Sequence, residues 1–238
     1  MRKYLIHTVG DNPNPFIIKD KLYEAFLQTQ FIEEIVDFSQ PILIKEAGKS
    51  ASLNKVEIDI SDAKEIGIER IWRVNLEKEI IGISTKNYFR TPEVALLFLQ
   101  KKKENEYQLH VMLVEMKSSL NDTEIKKNSD KTTTQKKGEL ETIPEKLQAG
   151  MNRMYLYLAI KKVKNFEKGN IYVDFQGLIF YGKNNIKKEY DTDLYKIFAK
   201  ISAHNILTFQ SILESQDKIK IFFFNHNRIV LRQIIPNS

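Results

Sequence analysis

Residues 94–117 read VALLFLQKKKENEYQLHVMLVEMK: two apolar runs, 94–100 and 109–117, on either side of a charged stretch. Each run suits a short buried strand, and the polar residues between them suit a turn, so the spacing predicts a hairpin. Side chains at i and i+2 of a strand share a face. Glu115 and Lys117 therefore point the same way, and Met116 points the other. Pro92-Glu93 opens the first run. A chain that runs out from Glu93 and back to Glu115 returns to nearly the same height on the sheet. Two carboxylates are then expected to converge beside one ammonium, at the end of strands whose apolar flanks bury them.

The rest of the chain supplies a sheet and helices to enclose this hairpin. Leu22, Phe26, Ile32 and Val36 fall near one face of a helix over 19–38, ended by Pro41. Val56, Ile58 and Ile60 alternate with Glu57 and Asp59, as in a half-buried strand. The stretch from 68 is β-rich. Residues 121–142 are dense in Lys, Thr, Asn and Asp and predict a mobile surface loop. Pro144 suits a helix start, and Leu147, Met151, Met154 and Leu158 share a helical face. A strand over 170–182, a helix over 191–215 and a last strand pair complete the order. The expectation is one α/β domain spanning 1–238, with a central mixed β-sheet flanked by helices and a C-terminal helix and strands over 191–235.

Composition narrows the function classes. With no cysteine among 238 residues, thiolate zinc sites, disulfides and cysteine nucleophiles are excluded. Hydrophobic residues make up 42%, enough for a real core. No apolar run approaches the ~20 residues needed to span a bilayer, and none near the N-terminus suits a signal peptide. A cytoplasmic protein without membrane contact is expected. A net charge of +6 is compatible with a polyanionic partner but is too modest to identify one.

Two adjacent carboxylates resist joint ionisation unless a cation neutralises them. Oxygen ligands of this kind suit Mg²⁺ or Mn²⁺. A nearby lysine can orient or deprotonate a water, or offset charge on a phosphorane-like transition state. The set suits phosphodiester hydrolysis.

PE, an apolar strand, a hairpin and VEMKSS resemble the signature of the PD-(D/E)xK (restriction-endonuclease-like) nuclease superfamily. The specific part of the likeness lies in 92–119, and its extent is about 16–182. It implies an αβββαβ core, a metal-dependent nuclease acting on DNA, and a homodimer as a possible working form. Restriction, phage defence and mobile-element biology are the settings it suggests. Glu93 matches the first acid, with Glu where Asp is usual. Glu115 matches the second acid and Lys117 the lysine. Glu93, Glu115 and the backbone carbonyl of Met116 would hold Mg²⁺ or Mn²⁺. Many members carry a Gln and a Tyr on the following helix; Gln148 and Tyr155 stand there, with Asn152 and Arg153 beside them. Glu24 stands where some members have a further acid.

Other readings stand beside these. Asp59 is a rival first acid, or simply an outward residue of an amphipathic strand. Asp62-Ala63-Lys64 and Glu124-Ile125-Lys126 match acid-x-Lys by chance. Glu46-Ala47-Gly48-Lys49-Ser50 lacks the earlier glycine of a P-loop, with Leu43 in its place. His7, His110, His204 and His226 have no metal-ligand spacing. A catalytically inactive nucleic-acid-binding or scaffold protein, and a nuclease for RNA or single strands, are the competing functions.

Overall fold

The computed structural model describes residues 4–7, 32–45, 53–76, 91–104, 106–121, 124–127, 133–136, 138–160, 170–186, 206–210 and 218–235. The predicted hairpin lies at the middle of an eight-stranded mixed sheet. Strands β1 (Tyr4–His7), β2 (Ile32–Ile35), β3 (Ile42–Lys45), β4 (Lys55–Asp59), β5 (Ile68–Asn75), β6 (Val94–Lys103) and β7 (Glu106–Leu120) come first. Next are β8 (Glu124–Lys127), β9 (Thr133–Lys136), helix α1 (Glu139–Ile160) and β10 (Asn170–Asn184). The chain then forms β11 (Ile206–Gln210), β12 (Lys218–Phe224) and β13 (Arg228–Val230). The large sheet runs β11-β12-β10-β7-β6-β5-β2, with β1 also paired to β10. Within it, β5, β6 and β7 form an antiparallel meander, and β10 lies parallel to β7 after the α1 connection. The hairpin turn is tighter than the expected 101–108, because Lys103 already pairs with Glu106.

Alternation along the central strands divides the core in two. Leu109, Val111 and Leu113 of β7 join Ala95, Leu97 and Leu99 of β6 on one face, together with Leu147, Met151 and Met154 of α1. Met112, Val114 and Met116 join Leu96 and Phe98 on the other face, with Ile42, Ile44, Val56, Ile58 and Ile229 of the three-stranded sheet β13-β4-β3. A sheet flanked by helices was expected. Among the described residues there is one α-helix, with a single 3-10 turn at Leu231–Gln233, and the layer opposite the α-helix is a small sheet. Burial of one aliphatic or aromatic side chain stabilises by about 1.5–3 kcal/mol, so two such layers can hold a group of charges at their edge.

Five sequence expectations need correction. The helix over 19–38 does not extend through its last part. Ile32–Ile35 is β2, antiparallel to β5, while 19–31 lie outside the described residues. The helix over 191–215 is likewise a strand at Ile206–Gln210, paired to β12, with 191–205 and 211–215 outside the described residues. In both places an open strand edge satisfies the backbone and overrides a helical pattern. The polar stretch 121–142 holds the β8–β9 hairpin and the start of α1. The helical ladder begins when Thr142 N–H donates to Gly138 C=O, so Pro144 lies inside the helix and not at its first turn. The final two strands are present but do not pair with each other: β12 belongs to the large sheet and β13 runs parallel to β4.

No helix among the described residues is long and apolar enough to cross a membrane.

Candidate functional site

Glu93 stands one residue before β6, and its N–H donates to Val114 C=O at 3.1 Å. The β6–β7 register begins at Val94↔Val114. One step beyond it, Glu93 falls opposite Glu115. Glu93 Oε2 accepts the Met116 N–H at 2.9 Å. Glu115 is completely buried, and Lys117, two residues along the same face, brings its Nζ to 2.5 Å from Glu115 Oε1. The hairpin thus brings Glu93, Glu115 and Lys117 together.

A fourth group completes the cluster. Lys146 of α1 donates to the same Oε1 of Glu115. The Lys117 and Lys146 side chains keep 21% and 17% of their exposure above a carboxylate that keeps none, so solvent meets the ammonium groups first.

Two close approaches dock the helix. A Cβ on Gly150 would lie 2.8 Å from the Pro92 ring, and one on Gly177 would lie 2.6 Å from Leu147 Cδ1. Glycine at both places lets α1 sit down on β10 and on the Pro92-Glu93 corner. Arg153 also donates to Leu76 C=O, which takes the Thr91 hydroxyl at 3.0 Å. Lys146, Gly150 and Arg153 share one helical face at i, i+4 and i+7, and that face meets the start of β6.

Crowding sets the electrostatics. Burial foremost, then the charge of Glu115 and a carboxyl–carboxyl hydrogen bond with it, push the Glu93 carboxyl from 4.5 up to about 8. Burial alone would lower Lys117, but the charge and hydrogen bond of Glu115, with the charge of Glu93, outweigh it and raise its pKa. Lys117 is therefore held as a cation. Glu115 Oε2 is buried with no hydrogen-bond partner among the described residues. A proton shared with Glu93, or a bound cation, would satisfy it.

No family model, curated protein or solved structure matches the chain.

The chemistry of the site accordingly rests on its own geometry. Among the described residues no three or more Asp, Glu or His side chains gather in a metal-binding group. The donor set here is smaller: two carboxylates and one backbone carbonyl. A residue in an antiparallel ladder sends its N–H and C=O out on the same edge. Met116 directs its N–H to Glu93, so its C=O leaves on that edge too, while its side chain is buried in the opposite core. Oxygen-only donors of this kind fit Mg²⁺ or Mn²⁺, and the unpartnered Oε2 fits a cation between the acids.

The other sequence candidates lie elsewhere. The Gln148 amide donates to Asn152 Oδ1 at 3.1 Å. Gln148 is two residues from Lys146, about 200° around the helix, so the two side chains leave on different sides. Asp59 is on β4 of the small sheet. The Ser61 N–H and hydroxyl, then Arg228 at 3.1 Å, hold its carboxylate below its ordinary pKa. The acid opposite Glu115 is Glu93. Glu24 and His204 lie outside the described residues, as does the Tyr155 side chain. Lys146 was not legible as a site residue: charge at 146 has no pattern of its own, and only the docking of α1 aims it at Glu115.

Proposed function

We propose that this protein is a metal-dependent nuclease of the PD-(D/E)xK type that hydrolyses phosphodiester bonds in DNA. The observation that carries the proposal is the meeting of Glu93 and Glu115 from adjacent antiparallel strands, with the Lys117 ammonium on Glu115. The succession of an antiparallel meander, a helix and a strand parallel to the third meander strand supports the βββαβ part of the core that the resemblance implies.

Glu93, Glu115 and the Met116 carbonyl would hold Mg²⁺ or Mn²⁺. When bound, the ion supplies Lewis acidity toward a phosphoryl oxygen and makes a water more acidic. Glu93 then gives up the proton its crowded carboxyl otherwise keeps, because a cation removes the repulsion from Glu115. Lys117, protonated and partly exposed, offsets negative charge that develops on the phosphoryl group and helps to orient the attacking water. Its raised pKa argues against a role as the base. Gln148 remains a candidate to support the site through its own helix face.

The test is nicking and linearisation of plasmid DNA in Mg²⁺ or Mn²⁺, with chelator as control and with single-stranded DNA and RNA in parallel. Cleavage that depends on the divalent ion is expected, and Glu115→Ala and Lys117→Ala should abolish it in folded protein. Full activity of purified Glu115→Ala protein would refute the assignment. Binding of DNA by wild type without any cleavage would identify a non-catalytic nucleic-acid-binding protein instead.

A further inference from the structure

Two ammonium groups on a single carboxylate oxygen exceed what neutralising Glu115 requires. Lys117 reaches Oε1 from the strand and Lys146 reaches it from the helix, while Oε2 has no hydrogen-bond partner among the described residues. An arrangement built only to bury Glu115 would place a donor on each oxygen. Here both carboxylate oxygens are buried, and both donors come to one of them from lysines that keep some exposure. Each ammonium has three N–H donors, so Glu115 leaves donors on both for a second acceptor.

We infer that Lys146 is a phosphate-binding residue, and that it forms with Lys117 a two-cation seat for a phosphodiester that fills without any divalent ion. The inference deepens the proposed nuclease site and rests on that reading for its substrate class. The seat is built by tertiary packing. Gly150 against Pro92 and Gly177 under Leu147 fix the height of α1, and Arg153 on Leu76 C=O fixes its other end. The lysine stem spans the remaining gap, and its rotatable ammonium can turn from Glu115 to an incoming phosphoryl oxygen. A compact point charge on a flexible stem suits an anion that must arrive and leave. The phosphate would be held by the two lysines, and the ion by Glu93, Glu115 and the Met116 carbonyl. The two can therefore bind in either order.

The experiment reads binding in chelator, where no metal-dependent cleavage can occur. The probes are inorganic phosphate, a thymidine dinucleotide phosphodiester and a short DNA duplex, measured by calorimetry across a salt series with wild type, Lys146→Met and Lys146→Arg. Wild type should bind all three without metal. Lys146→Met should weaken each about tenfold, as expected for loss of one charge-assisted contact. It should also lower the salt slope for the duplex by about 0.9. Lys146→Arg, which keeps the charge, should recover most of the affinity. In Mg²⁺, Lys146→Met should raise KM about tenfold and leave kcat within about threefold, whereas a purely structural role would lower both. Unchanged phosphate binding and salt slope in folded Lys146→Met protein would overturn the inference, as would wild type that binds no phosphate in chelator. If Lys146→Met fails to fold, Lys146→Gln and Lys146→Arg decide: equal binding by the two variants overturns the inference. Cleavage in Mg²⁺ with no role for Lys146 in binding would sink this inference alone. Lys146-dependent phosphate binding without cleavage would instead sink the nuclease reading.

Discussion

Strand β7 carries two buried polar clusters on opposite faces, five residues apart. On the helix side, Glu115 meets Glu93, Lys117 and Lys146. On the small-sheet side, His110 lies 2.9 Å from Gln100 Oε1 through Nε2, and its Nδ1 lies 2.8 Å from Asp174 Oδ1. Gln108 and Gln176 donate amides to Asp174 at 2.8 and 3.1 Å, and Gln100 donates to Ile66 C=O at 2.7 Å. The second cluster holds one carboxylate among amides and a ring. The first holds two carboxylates and two ammonium groups. Among the described residues both leave oxygens without a hydrogen-bond partner: Gln108 Oε1 and Gln176 Oε1 in one, Glu115 Oε2 in the other. A bare amide oxygen costs far less to bury than a bare carboxylate oxygen. The His110 cluster ties β6, β7 and β10 in register. The Glu115 cluster leaves a buried carboxylate oxygen that a ligand can satisfy. Buried polarity is common to both clusters; two carboxyl groups held together belong to one alone.

That contrast can be broken by mutation. The largest effect is expected from Glu115→Gln, which should cut DNA cleavage by roughly 10³-fold or more. Its melting temperature should stay near wild type, as thermal scanning would check. His110→Leu should do the reverse. It strips Asp174 of its ring partner and should cost about 2–4 kcal/mol in urea unfolding. The folded fraction should keep its kcat at 25 °C. Equal losses of activity in the two variants would erase the distinction between the clusters.

A smaller effect tests how the helix positions the acids. Gly150→Ala places a methyl against the Pro92 ring, where the Cβ would lie 2.8 Å from Cδ. Either α1 or the Pro92-Glu93 corner must shift, and cleavage should fall about 10- to 100-fold with modest loss of stability. A Gly150→Ala protein that cleaves at the wild-type rate would show that Glu93 tolerates displacement.

The most gradual effect concerns pH. The folded chain keeps a proton on Glu93 up to about pH 8, whereas the unfolded carboxyl releases it near 4.5. In chelator, stability should therefore fall as pH rises between those values, by at most about 1.4 kcal/mol per unit, and level off above them. Glu93→Gln should flatten the slope. Mg²⁺ bound to the two acids as proposed would favour the deprotonated pair, so its stabilisation should grow over the same range and vanish with chelator. Urea titrations at three pH values measure all of this.

Much of the hairpin was readable because strand periodicity is local. The runs ending at Gln100 and Lys117, and the shared face of Glu115 and Lys117, follow from alternation by two. The alternating strand at Val56 and Ile58 was readable for the same reason, with both side chains buried and Glu57 and Asp59 partly exposed. Ile32–Ile35 and Ile206–Gln210 were misread as helix. Each is four or five residues long, and its state was decided by an open edge on β5 or β12. Residues 124–127 and 133–136 looked like loop because a two-stranded ribbon of polar residues has no apolar face to announce it.

By itself the sequence determined which side chains of the central hairpin share a face, and that one acid and one ammonium leave the end of β7 together. Both are properties of consecutive residues. Tertiary structure alone decided that Lys146 joins them, that Gln148 leaves the helix on another side, that Asp59 belongs to a different sheet, and that a small sheet covers the second face. Each depends on which surfaces come to rest against one another, and helical or strand period says which residues lie on a face but not what that face will meet.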